Sequence, residues 1–286
     1  MKIAMKPLLF GLAAILLFSC KKEAVPAPTD PAQVVKGATL KTVAYGPDPD
    51  QTMDIYAPPG AKAAPLLLIV HGGGWREGNK ASPGVVGNKL IRWLPQDYIL
   101  VSIDYGLLPK TPVDTQARNI AKAVAYTETH ASEWGGDGTR LILMGHSAGA
   151  HMVALLSADP SQVVTEGGKP WRGTVVLDSG SPDLVAVMNG RPGKVYREAF
   201  GTDPAYWARL SPLQHLRPGA VPMLLVCSIK RRACGQSAAF AARIKSIGGD
   251  AQVLPEDLTH MEINDNLGQP GAYTDAVDAF IAARLK

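Results

Sequence analysis

The segment that most constrains the fold is residues 145–149, which read GHSAG. It follows the apolar run 140–144 and precedes a stretch of small and apolar residues at 150–156. This order predicts a strand, a sharp turn and a helix, with Ser147 in the turn. Glycines on both sides fit such a turn, because a residue without a Cβ tolerates crowding and unusual backbone angles. A serine in this setting is expected to stand exposed above the sheet edge, as a nucleophile elbow.

Buried strands and helices alternate on both sides of this turn. Two short strands at 39–45 and 52–56 are predicted to form an antiparallel hairpin at a sheet edge. The other expected elements are strands at 65–70, 98–105, 140–144, 174–177, 223–226 and 251–254, and helices at 111–133, 150–156, 236–247 and 273–285. Continuous apolar strands separated by helices predict an α/β fold, with a mostly parallel central sheet covered by helices on both faces. The connection 180–221 is a small insertion before the seventh strand.

The N-terminus is predicted to be an export signal. Lys2 and Lys6 precede an apolar stretch at 8–18, which is too short to span a bilayer. Ser19 directly before Cys20 resembles a bacterial lipoprotein cleavage site, so lipid is expected on Cys20. An ordinary secretory peptide with an unrelated cysteine is the alternative. The expected divisions are a signal peptide at 1–19, a Pro-rich tether at 20–38 and a catalytic domain at 39–286. The protein is expected to be exported and lipid-anchored in the bacterial envelope, on the periplasmic or cell-surface side.

The charge of the chain argues against one class of partner, the nucleic acids. The formal charge of +4 falls to +2 when Lys2 and Lys6 are removed with the signal, and only residues 230–232 form a basic cluster, so nucleic-acid binding is not predicted. Contact with a membrane is expected only through the lipid anchor.

Cys227 and Cys234 are seven positions apart, and in an exported protein they are expected to form a disulfide, with two free thiols as the alternative. Two cysteines are too few for the usual zinc site, and no metal is expected.

A serine nucleophile needs a base, and six histidines could supply it. Only His260 follows the last strand, in a polar loop at the end of the sheet where the elbow also lies. It is the predicted base. Packing or capping roles are expected for the other histidines, which are His71, His130, His146, His151 and His215.

Main-chain N–H groups are expected to stabilise a developing oxyanion. Ala148 follows the serine at a helix N-terminus, where N–H groups lack intrahelical partners. Residues 71–74 read HGGG and directly follow the strand 65–70. Gly73 and Gly74 are therefore expected to complete an oxyanion hole with Ala148. A simple glycine turn is the alternative for this loop.

Both motifs resemble those of the α/β-hydrolase esterases. The segments HGGGWREGNK at 71–80 and GHSAGAH at 145–151 are similar to the arylformamidase-like and bacterial feruloyl-esterase-like branch, near the hormone-sensitive-lipase group. The resemblance covers residues 39–286. It implies the α/β-hydrolase fold and hydrolysis of carboxylic esters without a cofactor.

The chain departs from that branch at the acid of the triad. The resemblance places the acid in the loop after strand 223–226, but residues 227–235 hold no Asp or Glu. Asp178 ends the strand after the elbow helix and is the predicted acid, with Asp183 as the alternative. Asp183 is also suited to capping a helix. Asp257 and Glu262 lie too close to His260 in sequence to orient its ring easily.

The sequence therefore predicts a serine hydrolase that acts on short-acyl or aromatic esters through Ser147, His260 and an aspartate. Its substrate would be a small-molecule or glycan-linked ester, and a role in removing acetyl or feruloyl groups from glycans is possible within this class. The alternatives are an amidase or arylformamidase, and a non-catalytic binding protein on a hydrolase fold. Trp75, Tyr196 and Trp207 are candidates for lining the substrate pocket, with ordinary packing as the other interpretation. The sequence does not determine the oligomeric state.

Overall fold

A central sheet of eight strands organises the molecule, in the spatial order β1-β2-β4-β3-β5-β6-β7-β8. The computed structural model describes Met1, residues 27–231 and residues 233–286. The strands are β1 (Thr39–Ala44), β2 (Thr52–Ala57), β3 (Ala64–Val70), β4 (Ile99–Ile103), β5 (Gly136–His146), β6 (Gly173–Leu177), β7 (Met223–Ser228) and β8 (Ala251–Glu256). Strands β3 to β8 run parallel to one another, whereas β1 and β2 are antiparallel to their neighbours. The predicted hairpin at a sheet edge is confirmed.

Helices cover both faces of this sheet. They are α1 (Pro83–Trp93), α2 (Val113–His130), α3 (Ala148–Ala158), α4 (Ser161–Thr165), α5 (Leu184–Asn189), α6 (Lys194–Phe200), α7 (Pro204–Arg209), α8 (Pro212–His215), α9 (Cys234–Ser246), α10 (His260–Asp265) and α11 (Ala272–Arg284). Alternate residues of β3 belong to two separate apolar cores. Leu66 and Leu68 belong to the core that includes residues of α2, α3 and α9, whereas Leu67 and Ile69 belong to the core that includes residues of α1 and α11. The strand is therefore buried on both faces, as its unbroken apolar sequence predicts.

The insertion before β7 consists of the four short helices α5 to α8. They lie beyond the carboxyl end of β6, and α8 contacts α3. None of the helices in the described ranges is both long and apolar enough to cross a membrane.

One predicted helix starts at a different residue in the structure, and helix α1 was not predicted. Helix α2 begins at Val113, two residues after the predicted start at 111, because Pro112 has the extended ψ of 155° and serves as the N-cap residue. Helix α1 has no counterpart among the predicted elements. Ser82 precedes Pro83 at its start, and this pair is a typical helix-start signal.

The predicted signal peptide and the lipid anchor at Cys20 lie outside the described residues. The described part of the predicted tether contacts the domain. Residues Pro31–Gln33 form a short 3₁₀ helix, and Val34 and Val35 pack against the core that contains α1. The division between tether and domain at 38/39 stays a prediction.

Candidate active site

Ser147 occupies a strained turn between β5 and α3. Its φ of 56° lies in the left-handed region, which few residues other than glycine adopt. The flanking glycines make this turn possible. A Cβ on Gly145 would lie 2.5 Å from the Gly149 carbonyl oxygen, and a Cβ on Gly149 would lie 2.3 Å from that of Val70. Both contacts are with main chain, so larger residues would have to displace the turn. The strain presents the serine hydroxyl at the sheet edge.

A line of hydrogen bonds connects Ser147 to His260 and Asp178. The Nε2 atom of His260 lies 2.9 Å from Ser147 Oγ, and its Nδ1 atom lies 2.7 Å from Asp178 Oδ2. With the proton on Nδ1, the ring donates to the carboxylate and accepts from the serine hydroxyl. This is the arrangement that a Ser-His-Asp triad requires.

The carboxylate of Asp178 is completely buried, with no exposed surface. Asp178 directly follows β6, and its own φ of 52° turns the chain away from the sheet. Its Oδ1 accepts the Ser228 main-chain N–H at 2.9 Å. Burial raises the pKa of this carboxyl, but the hydrogen bonds from His260 and Ser228 and the charge of Arg231 outweigh it. The pKa of Asp178 therefore lies below its usual value, and the group remains a carboxylate.

Asp183, the alternative acid, is not part of this line. It is the N-cap residue of α5, and its side chain accepts the Ala186 main-chain N–H at 3.0 Å. The structure thus brings Asp178 to His260 and gives Asp183 the capping geometry that its sequence context predicts.

His260 is the first residue of α10 rather than part of a loop. Thr259 and Glu262 form a reciprocal capping box that fixes the start of this helix. His146 supports it from β5, because the His146 Nε2–H donates to the His260 carbonyl oxygen at 2.9 Å and the ring centroids lie 4.4 Å apart. Burial above all, and then the nearby His260 ring, lowers the pKa of His146 to about 3, so His146 is neutral. These contacts hold the main chain of the base at both ends of the residue.

The glycine loop after β3 approaches the serine closely. A Cβ on Gly72 would lie 3.0 Å from Ser147 Cβ. Gly73 and Gly74 have φ of 119° and 58°, and neither main-chain N–H donates a hydrogen bond to any described residue. Gly73 and Gly74 line the same cavity as Ser147, and Ala148 follows Ser147 directly at the start of α3. That their main-chain N–H groups bind an oxyanion stays a prediction.

A cavity of about 790 Å³ opens over Ser147 and His260. Val195, Val85 and Met261 contribute apolar surface to it. The polar lining comes from the glycine loop and its continuation and from α6 and α10, and it includes Arg76, Glu77, Asn79, Glu198, Asn264 and Asp265. The cavity is within the usual size range of small-molecule sites.

The three aromatic residues expected in this pocket do not line it. Trp75 is 4% exposed and packs edge-on against Tyr196 and Phe200, and its Nε1–H donates to His151 Nδ1 at 3.3 Å. Trp207 donates to the Phe200 carbonyl oxygen inside the insertion. The prediction that Trp75, Tyr196 and Trp207 line the cavity is therefore wrong for this structure. Trp75 and Tyr196 pack with Phe200, and Trp207 donates to the main chain of Phe200.

The loop after β7 carries a cation to the buried carboxylate. The sulfur atoms of Cys227 and Cys234 lie 2.07 Å apart, at disulfide-bonding distance. Between them, Arg231 donates to Asp178 Oδ2 at 2.8 Å and also contacts His260 Nδ1. The sequence offers no signal for this contact, which joins residues 53 positions apart. No group of His, Cys, Asp and Glu side chains in the described part of the chain is arranged to hold a metal ion.

Comparison with known proteins gives consistent matches. The model of the BD-FAE family matches residues 53–231. The chain is 27% identical over 201 residues to the esterase LipC of Mycobacterium tuberculosis, covering 65% of this chain and 49% of that protein. It is 30% identical over 153 residues to kynurenine formamidase of Salmo salar, covering 53% of this chain and 49% of that protein. The chain thus spans between about a quarter and a half of the length of the curated relatives it matches.

Among solved structures, esterase B from Lactobacillus rhamnosis superposes with a TM-score of 0.69 at 18% identity. The match covers 87% of this chain and 86% of that one. At this identity the likeness supports the fold, and the predicted α/β-hydrolase fold is confirmed.

Proposed function

The chain belongs to the BD-FAE family, whose model matches more than half of its length, and we propose on this basis that it is a serine carboxylic-ester hydrolase. The observation that carries the proposal is the unbroken hydrogen-bonded line from Ser147 Oγ through His260 to the buried Asp178. A serine or histidine with only a packing role would not be expected to form this line of hydrogen bonds beside a cavity. The geometry matches a reaction in which the serine is activated by the base.

In the first half of the reaction, Ser147 Oγ attacks the ester carbonyl carbon and its proton passes to His260 Nε2. The Nδ1–H of the imidazolium remains bonded to Asp178, whose negative charge compensates the positive ring. When the tetrahedral intermediate collapses, the bond to the alcohol oxygen breaks and Nε2 returns the proton to that oxygen. The products are a free alcohol and an acyl group on Ser147.

In the second half, a water molecule replaces the alcohol. His260 Nε2 takes one of its protons while the water oxygen attacks the acyl carbon. Collapse of the second intermediate breaks the bond to Ser147 Oγ, which recovers its proton from the ring. The enzyme returns to its starting state and releases the carboxylic acid. In both halves the oxyanion would accept hydrogen bonds from the main chain of Gly73, Gly74 and Ala148.

The cavity favours a small ester. Its volume of about 790 Å³ accommodates a short acyl or aromatic acyl group together with a compact alcohol. Val195 and Met261, which line the cavity, are exposed apolar side chains, with relative exposures of 43% and 55%. They suit an apolar part of the substrate, whereas Glu77, Asn79 and Asn264 suit hydroxyl groups. Both small-molecule esters and esters on a glycan fit this description.

Amide hydrolysis is the second candidate, and the observation that favours it is the similarity to kynurenine formamidase. The same acyl-enzyme serves an amine leaving group, because His260 can protonate a nitrogen in place of an oxygen. The third candidate, a binding protein without turnover, rested on the acid absent from the loop at 227–235. The distance of 2.7 Å between Asp178 Oδ2 and His260 Nδ1 supports turnover rather than binding alone, because it offers an acid outside that loop.

The cellular setting is proposed from the sequence alone. A lipid on Cys20 would hold a catalytic domain of residues 39–286 at the bacterial envelope, on the periplasmic or cell-surface side. Several acyl chains bind a bilayer firmly, since each buried CH₂ contributes about 0.8 kcal/mol.

The test is a substrate panel with the full-length chain in mild detergent. Nitrophenyl esters of increasing acyl length, methyl ferulate, an acetylated sugar and an N-formyl arylamide would be compared, with Ser147→Ala as the matched control. We expect turnover of short-acyl or aromatic esters that is lost in the control. Turnover of the formyl amide alone would favour the amidase instead. Absence of Ser147-dependent turnover on every substrate would contradict an enzymatic role.

A further inference from the structure

The loop that follows β7 brings a positive charge into contact with two members of the candidate triad. Arg231 lies between Cys227 and Cys234, whose sulfur atoms are at bonding distance. One nitrogen of its guanidinium group donates to Asp178 Oδ2 at 2.8 Å and contacts His260 Nδ1. Nothing in the proposed mechanism uses this cation.

The positions of the protons limit what Arg231 can do there. The Nδ1 atom of His260 either carries a proton and donates to Asp178, or lacks one and accepts from the guanidinium group. Only the first arrangement leaves Nε2 unprotonated and able to take the proton of Ser147. In the active protein, Arg231 and His260 therefore both donate to Oδ2 of Asp178, and the guanidinium charge stands beside the imidazole ring.

A cation at this place opposes a second positive charge on the ring. The other groups that face His260 act differently. Asp178 at the end of β6 favours the charged ring. His146 on β5 is neutral, and Lys89 on α1 donates to Asn264 rather than to His260. Glu262, on the same helix as His260, is held in the capping box by the Thr259 main-chain N–H. Of the charged groups in the described residues, Arg231 is the only cation that contacts the triad.

We propose that Arg231 is a positioning residue, whose charge beside His260 and Asp178 opposes a positive charge on the His260 ring and so sets the pH dependence of the reaction. This inference rests on the proposed function, because it assigns Arg231 a role in the same Ser147-dependent reaction. The cross-linked loop supplies the cation where the family resemblance places an acid. Arg231 acts through its charge on Asp178 and His260, and it takes no part in the covalent steps.

The experiment is the pH profile of kcat/KM for a short-acyl nitrophenyl ester, measured with the full-length wild type, Arg231→Met, Arg231→Lys and Lys230→Gln. The side chain of Arg231 is 41% exposed, so water weakens its effect. We expect Arg231→Met to move the midpoint of the acid limb to higher pH by about 0.5–1 unit. Arg231→Lys, which keeps the charge, should stay near the wild type.

Lys230→Gln is the matched control. Lys230 lies in the same loop but pairs with Asp257 at 3.6 Å and not with a triad residue, and its loss should leave the midpoint in place. A role in stability alone would lower activity at every pH without moving the midpoint. A folded Arg231→Met protein with an unchanged or lower midpoint would overturn the proposal.

If Arg231→Met does not fold, Arg231→Gln is measured in the same way, since it keeps donors for Asp178 without the charge. Failure of both variants to fold would identify Arg231 as a stability residue and would also overturn the proposal. Failure of the proposed function has a different signature, which is a wild type without Ser147-dependent turnover at any pH.

Discussion

His260 Nδ1 lies 2.7 Å from Asp178 Oδ2, although Asp178 follows β6 and not β7. Because β6 is the direct neighbour of β5, the acid enters the site one strand nearer to Ser147 than the family resemblance implies. Ser228 ends β7 and Arg231 lies in the loop that follows, where the resemblance implies an acid, and both donate to the Asp178 carboxylate. The end of β7 and its loop therefore supply hydrogen-bond donors to the carboxylate instead of the carboxylate itself.

We expect Asp178→Asn to lower kcat by about 10²–10⁴ with the fold retained. An amide in this place can fix the wrong tautomer of His260, and it leaves the imidazolium uncompensated. Steady-state kinetics on a short-acyl ester measures the loss. The control is Asp183→Asn, which should cost about 1 kcal/mol of the unfolding free energy through weaker capping of α5 and little activity. The reverse pattern would show that the acid lies in the insertion.

The glycine loop allows a comparison of two neighbouring residues. A Cβ on Gly73 would lie 1.8 Å from the Glu77 carbonyl oxygen, whereas one on Gly74 would meet only a Val195 methyl group, at 2.7 Å. Gly73→Ala must therefore displace main chain, and we expect it to lower kcat by about 10²–10³, the usual cost of losing one oxyanion donor. Gly74→Ala should cost less, since the Val195 side chain can move. Equal losses in kcat would argue against a role for the Gly73 main chain.

Lys89 on α1 gives a prediction for the pH dependence of stability. Its ammonium group is buried and donates to the Asn264 carbonyl oxygen at 2.9 Å, at the end of the helix that begins with His260. Burial lowers its pKa to about 7, against the opposing charge of Asp265. Between pH 7 and about 10.5, the unfolded chain therefore holds one proton more than the folded protein at this group, so its contribution to stability rises with pH.

The measurement is the unfolding free energy of the wild type minus that of Lys89→Met, from urea titrations between pH 6 and pH 10. We expect this difference to be constant below about pH 7 and then to rise by up to about 1.4 kcal/mol per pH unit. Other titrating groups cancel in the difference. A difference that does not change with pH would show that Lys89 keeps an ordinary pKa.

Cys227 and Cys234 are expected to be bonded in the exported protein. Mass spectrometry after alkylation without reduction should find neither thiol modified. Two alkylated cysteines would contradict the prediction. Because the loop spans only seven positions, the bond should contribute no more than about 2–3 kcal/mol. Reduction is therefore expected to lower the melting temperature without unfolding the protein.

The parts of the fold that follow from local sequence could be predicted. The elbow requires glycine two positions before and two positions after Ser147, because a Cβ on Gly145 or Gly149 would collide with main chain. The edge hairpin and the parallel strands also follow from turn residues and apolar runs. Asp178 could be inferred because it ends a strand at the right sheet edge.

The remaining features depend on contacts between distant segments. Trp75 packs against α6 of the insertion, and no local pattern tells which side of the glycine loop its ring occupies. The contact of Arg231 with Asp178 depends on the path of the loop between Cys227 and Cys234. Two missed helices did carry signals, which are Ser82 before Pro83 for α1 and the Thr259–Glu262 capping box for α10.

The most direct test of the central claim is the kcat of Ser147→Ala for a short-acyl nitrophenyl ester, in a protein whose circular dichroism and melting temperature match the wild type. The proposed mechanism has no other nucleophile in the line to Asp178, so we expect kcat to fall by several orders of magnitude, toward the loss of about 10⁶ that removing the nucleophile of a serine hydrolase causes. A folded Ser147→Ala protein that retains near-full turnover would contradict the account.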